Sequence, residues 1–271
     1  MRNGKSFELY NKIKMKRIAI CLLAVVMVVG MVSCEKESGS VGGGIAGSAT
    51  GKHLVRETLM DTAGRRIETL YTWNKKRLRT ITIKDSLTVS FTYDGELVSA
   101  VNFAQRNSKS LKYNITYVGD RIRTISCASP EVTETLTLTY EGNNVRTVLR
   151  ETAVAGYPYP FATMDTLVWV NGNVVNVTNY DFGIMRFYDY DNNPTPYALD
   201  MPQVLSIILR RYELLSANNV TAFLTESTHG ELYQSWTYTA DGYPESCTAD
   251  GGVTYYLYAD GTGQRGPNAT H

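Results

Sequence analysis

The chain has 271 residues, with 27 Lys/Arg against 26 Asp/Glu, 43% hydrophobic and 11% aromatic residues. That length holds one large domain or two small ones, and so even a charge balance argues against a nucleic-acid partner. Gly42-Gly43-Gly44 has no strand before it and no Lys-Ser/Thr after it, so it is not a phosphate cradle and no cofactor motif is present.

Lys12, Lys14, Lys16 and Arg17 make a cationic start, followed by an apolar run from Ile18 to Val32. That run is 15 residues long (32 − 18 + 1). A membrane-spanning helix needs roughly 20, so the segment suits a signal peptide better than a span. Met31-Val32-Ser33-Cys34 then resembles the lipobox of bacterial lipoproteins, with Met in place of the usual Leu. The resemblance implies a signal peptide over 1–33 and lipidation of Cys34, which would hold the chain to the outer membrane on its periplasmic or cell-surface face. Several acyl chains at ~0.8 kcal/mol per buried methylene anchor far more firmly than one. Removing six basic residues and one acidic residue leaves 21 against 25, a net of −4.

Residues 34–51 open with Glu35-Lys36-Glu37 and continue almost wholly in Gly, Ser, Ala and Val. They read as a tether, with an acidic cluster that resembles a Bacteroidetes surface-export signal. Its last fourteen residues span on the order of 20 Å. His53 falls at the end of this tether.

From Leu54 the chain alternates as strands do. Leu87, Val89, Phe91 and Tyr93 interleave with Thr88, Ser90 and Thr92, and Leu111 to Tyr117 and Leu136 to Tyr140 repeat the pattern. A unit recurs: an aromatic, a turn, then apolar residues five and eight places on. Trp73 leads to Leu78 and Ile81, Tyr93 to Val98 and Val101, Tyr117 to Ile122 and Ile125, Tyr140 to Val145 and Val148, and Trp169 to Val174 and Val177. The odd step between positions five and eight predicts a bulge or sharp twist there. Tyr93, Tyr117 and Tyr140 continue apolar alternations, which predicts a packing role on the buried face. Residues 202–217 predict one amphipathic helix capped by Asp200 or Met201 and stopped at Asn218-Asn219, plugging one end or face of the sheet.

The turn units resemble YD-type repeats, as do Tyr188-Asp189-Tyr190-Asp191-Asn192-Asn193-Pro194 and Tyr238-Thr239-Ala240-Asp241-Gly242-Tyr243-Pro244. Together they resemble an uncharacterised family of Bacteroidetes lipoproteins with a porin-like β fold, over most of residues 54–260. The resemblance implies an address and a fold, and brings no activity or catalytic residues. Asp61-Thr62-Ala63, Asp85-Ser86-Leu87 and Asp165-Thr166-Leu167 also resemble the Bacteroidetes O-glycosylation acceptor, with Thr62, Ser86 and Thr166 as the modified residues.

After cleavage and lipidation, Cys127 and Cys247 remain. An oxidising compartment permits them to pair, although their sequence separation does not decide it, and without nearby histidines they make no metal site. His229 sits in a loop-like stretch with no nucleophile elbow, so no catalytic residue is assigned. Asp189 and Asp191, two apart on a strand, form the one carboxylate pair to weigh against ordinary turn chemistry. The expected fold is mainly β: an antiparallel meander of repeated hairpins over 52–271, curved or closed into a barrel-like sheet with one covering helix. The expected role is non-enzymatic: a lipid-anchored envelope protein that binds or scaffolds a glycan, a peptide or another envelope protein. A carboxylate-dependent hydrolase acting on glycans is the alternative, and a membrane pore the least favoured reading.

Overall fold

Alternation of Leu, Val and Ile with Thr, Ser and charged residues resolves into seventeen antiparallel strands in one sheet. The computed structural model describes residues 52–106, 108–197, 201–225 and 230–260. The leader, Cys34, the tether, Asp200 and His229 lie outside them. The strands are β1 Lys52–Asp61, β2 Arg66–Asn74, β3 Arg77–Ile83, β4 Leu87–Asp94, β5 Leu97–Gln105 and β6 Leu111–Val118. They continue with β7 Arg121–Ala128, β8 Val132–Glu141, β9 Asn144–Val154, β10 Phe161–Val170, β11 Asn173–Asn179 and β12 Ile184–Pro194. After one helix, α1 Gln203–Leu209, come β13 Asn218–Thr225, β14 Gly230–Tyr233, β15 Ser235–Tyr238, β16 Pro244–Ala249 and β17 Gly252–Asp260.

Successive strands pair in order, and β1 pairs with both β2 and β17, so the meander curls back on itself as a barrel. Among the described residues β14 pairs with β13 and β15 with β16. β14 and β15 form two halves of one stave broken at Gln234, whose N–H donates to the Thr221 carbonyl. The first strand starts at Lys52, two residues earlier than alternation predicts. His53 is therefore not part of the tether: it is buried and stacks on Trp73, with ring centroids 4.6 Å apart.

The inner face is the core. Leu78, Val101, Ile125, Leu136, Val145, Val148, Leu167 and Val174 are all essentially inaccessible. The outer face of β2–β9 is polar, as in β8, where Thr133, Thr135, Thr137 and Thr139 alternate with the buried Glu134, Leu136 and Leu138. Threonines pair across this face, Thr116 with Thr124 and Thr139 with Thr147, each pair with hydroxyls 2.6 Å apart.

The bulge predicted from the repeat spacing is present. Thr92 faces Ala100 but Tyr93 faces Val98, leaving Ser99 as the extra residue between positions five and eight. Arg79, Arg123, Arg146 and Val175 are extra at the same place in the units of Trp73, Tyr117, Tyr140 and Trp169. The aromatic beside each bulge is half-buried against the core, not fully enclosed.

The helix departs from expectation. Instead of one helix over 202–217, α1 ends at Leu209 and a separate 3-10 turn covers Tyr212–Leu215. Arg210 lies between them in the left-handed region (φ 57°, ψ 32°), and the Arg211 N–H reaches back 2.9 Å to the Ser206 carbonyl. This is a Schellman stop, unusual without glycine. Position 210 holds it because the Arg210 guanidinium pairs with buried Asp165 at 3.0 Å and donates to the Thr163 hydroxyl at 2.8 Å. Neither Asp200 nor Met201 is the N-cap. Pro202 occupies that position and makes no side-chain cap bond. As a plug of the sheet α1 is deeply enclosed: Val204, Leu205, Ser206, Ile207 and Ile208 are all buried against inward-facing strand residues.

Candidate functional site

Where β12 ends, the chain leaves the barrel wall through Pro194, Thr195, Pro196 and Tyr197 and turns inward towards α1. Pro194 and Pro196 cannot donate to a ladder, which suits a departure from the sheet. Between this segment and the wall lies a cleft lined by Leu54, Tyr71, Trp73, Met201, Tyr243 and Tyr258, with Lys52 at its edge. It encloses about 450 Å3 of unfilled space counting its open mouth, yet it is narrow enough inside to seat only a small group.

Aromatic contacts fix the walls. The Trp73 indole N–H donates to the Leu54 carbonyl at 2.7 Å, and one of its faces is covered by His53. Tyr243 and Tyr258 meet at 5.1 Å with tilted rings. The Lys52 ammonium stands 5.2 Å from the Tyr243 ring centre and pairs with Asp241. The hydrogen bond from Lys52, then that from Thr239, holds the Asp241 carboxyl down at about 2.

Behind the aromatic wall is Glu57 of β1, only 2% exposed. Burial pushes its carboxyl above the usual range, while the Tyr197 and Tyr71 hydroxyls and the charge of Arg211 pull it back down. Its Oε1 has no hydrogen-bond partner among the described residues, and neither has the buried hydroxyl of Tyr258. Arg211 is engaged by Glu213.

A second polar layer surrounds α1. Glu134 accepts from the Tyr113 hydroxyl at 3.0 Å and pairs with Arg150 at 3.0 Å. Arg150 in turn donates to the carbonyls of Ile207 and Ile208 at the end of the helix. Asp165 accepts from Asn179 and from the Tyr212 hydroxyl at 2.6 Å besides pairing with Arg210. These groups pair with one another and with the helix C-terminus, where cations are favourable, although Arg150 Nε and Arg210 Nε make no hydrogen bond among the described residues. Their arrangement is structural.

The residues singled out in the sequence are scattered. Asp191 accepts from the backbone N–H groups of Asn193 and Asn219 and from the Tyr238 hydroxyl, which is the turn role, while Asp189 is exposed. They do not form a facing catalytic pair. Cys127 and Cys247 are buried on β7 and β16, strands that are not neighbours in the sheet, and their sulfurs are not bonded to each other. Burial pushes the Cys247 thiol up to about 12, which makes it a poor nucleophile. Thr62 and Ser86 lie at hairpin turns, whereas Thr166 is mid-strand on β10, paired with both Thr147 and Thr178. No cluster of His, Cys, Asp or Glu among the described residues could hold a metal ion.

Glu57, Glu134 and Asp165 were not identified as interior acids from the sequence. The signal was available: each sits two residues before a buried Leu (Leu59, Leu136, Leu167), an acid on the inward phase of a strand. The cleft itself has no such signal, because its walls come from β1, β2, the β12 exit, the β15–β16 turn and β17.

No protein-family model matches this chain, and no curated protein matches its sequence. Its fold is similar to that of a porin-like protein from Bacteroides uniformis, with 13% identity, a TM-score of 0.51, and 78% of this chain and 96% of the other covered. A porin-like protein from Bacteroides vulgatus is similar at 10% identity and TM-score 0.52, covering 77% and 99%. At such identities the likeness establishes the barrel-like fold.

Proposed function

We propose that this chain is an exported envelope lipoprotein, anchored to the outer membrane through Cys34, that acts by binding and not by catalysis or conduction. The observation that carries this reading is the polarity of the barrel wall. A lipid-spanning barrel needs an outward apolar band about 25 Å tall and a polar interior. Here the interior is filled by Leu, Val and Ile and by ion pairs that hold a buried helix, and the outer face of β2–β9 is rich in Thr and Arg. Among the described residues the exposed apolar side chains of the wall include Met164, Val168, Val170 and Phe187 on β10 and β12, with Leu70, Tyr233 and Tyr255 on other strands. The similar fold of the Bacteroides proteins supports the envelope address, and the repeat units support membership of the YD-repeat lipoproteins.

Two measurements test it. Cys34→Ser should abolish acylation and release the protein from membranes on alkaline washing, so retention would overturn the anchor. The detergent-purified full chain should give no conductance in planar bilayers, and stepwise channel openings would overturn the binding role in favour of a pore.

A further inference from the structure

We propose that the cleft between Trp73, Tyr197, Tyr243 and Tyr258 binds the ammonium head of a small organic cation, with Glu57 as its counter-ion. The inference rests on the binding role above and names its ligand class.

Buried polar atoms in folded proteins are nearly always satisfied, and a buried acid with an open oxygen calls for a partner. Glu57 is such an acid, and the Tyr258 hydroxyl is a second buried group left open beside it. Tyr71 and Tyr197 face the same carboxyl and also line the cleft, so the acid lies directly behind the cleft wall. Arg211, whose charge acts on Glu57, is paired with Glu213 and leaves Glu57 Oε1 without a hydrogen bond.

The aromatic walls point the same way. Tyr and Trp rings present negative faces that attract cations, most strongly where water is excluded. The cleft already shows this affinity at its edge, where the chain's own Lys52 ammonium sits over Tyr243. Its narrow interior excludes an extended chain. A neutral sugar would satisfy the rings, but would not answer the unpartnered carboxyl.

The test uses the detergent-purified full chain, Trp73 emission and calorimetry, with choline as cation, 3,3-dimethyl-1-butanol as its uncharged isostere and a methyl glycoside as neutral sugar. Choline should saturate the site and bind about tenfold or more tighter than the isostere, the factor that cation–π and ion-pair attraction of ~1.4 kcal/mol provides. Glu57→Gln should remove that preference and leave isostere binding unchanged. Should the variant melt early, the ratio of the two probes in the native protein decides. Equal binding of choline and isostere, or undiminished choline binding to Glu57→Gln, overturns the proposal. If the methyl glycoside saturates the site and choline does not, the cation assignment falls while the binding role stands. If none of the three binds, the cation assignment falls as well.

Discussion

The Tyr117 hydroxyl donates to the carbonyl of Val98, nineteen residues back and 2.9 Å away. Val98 stands five places after Tyr93, so the aromatic of one unit closes on position five of the unit before it. Tyr93 reaches Leu78, Tyr140 reaches Ile122, Trp169 reaches Val145 and Tyr190 reaches Val174 in the same way, at 2.8–3.0 Å for the tyrosines and 2.7 Å for the tryptophan. The bulge beside each aromatic disturbs the regular ladder there, and the ring's polar tip supplies a hydrogen bond to the backbone.

Tyr117→Phe should therefore lower stability measurably, by about 0.5–1.5 kcal/mol, because the Val98 carbonyl loses its donor. Tyr117→Ala should cost roughly half of the ~3–5 kcal/mol typical of a fully enclosed ring, since this one is half-buried. Denaturant unfolding of both variants checks this. A ring used for ligand stacking would instead leave stability unchanged in both.

Glu57 predicts a pH dependence. Its folded carboxyl titrates above the ordinary 4.5. Below that pH the folded and unfolded chains both hold the proton, and nothing is lost. As pH rises through 4.5 the unfolded chain ionises first, so stability falls until the folded carboxyl ionises too. Glu57→Gln does not titrate, so its melting temperature should gain on that of the native protein from about pH 4.5 towards neutrality. Melting curves across that range decide, and a constant gap would show that Glu57 is ionised at its ordinary value.

Arg150 joins β8, β9 and the end of α1 through Glu134 and the Ile207 and Ile208 carbonyls. Arg150→Met alone strands a buried carboxylate and should cost about 3–5 kcal/mol. Adding Glu134→Gln should recover much of that loss. A double-mutant cycle by denaturant unfolding measures the coupling, and simple additivity would mean that the pair does not act as a unit.

Glycosylation at Thr62, Ser86 and Thr166 predicts an intact mass above polypeptide plus lipid that falls on triple Ala substitution. Thr62 and Ser86 stand at turns and should carry the larger share, because Thr166 is paired on both sides within the sheet and its neighbour Asp165 is bonded inside. A native mass without any increment would end the idea.

The sequence by itself determined the strands, the repeat and the bulge, because these follow from local alternation. A two-residue period fixes which side of β4, β6 and β8 is buried, and the five-and-eight spacing forces an extra residue such as Ser99. Only the tertiary structure decided the fate of α1, the roles of Asp191 and the cysteines, and the cleft. An amphipathic pattern over 202–217 is indifferent to whether the polar side meets water or the interior groups of a barrel; here Asp165 from a distant strand held Arg210 and ended the helix. The cleft joins residues from positions 52 to 258. Its existence depends on β17 pairing with β1, a closure at the longest sequence separation in the fold, which no local pattern encodes.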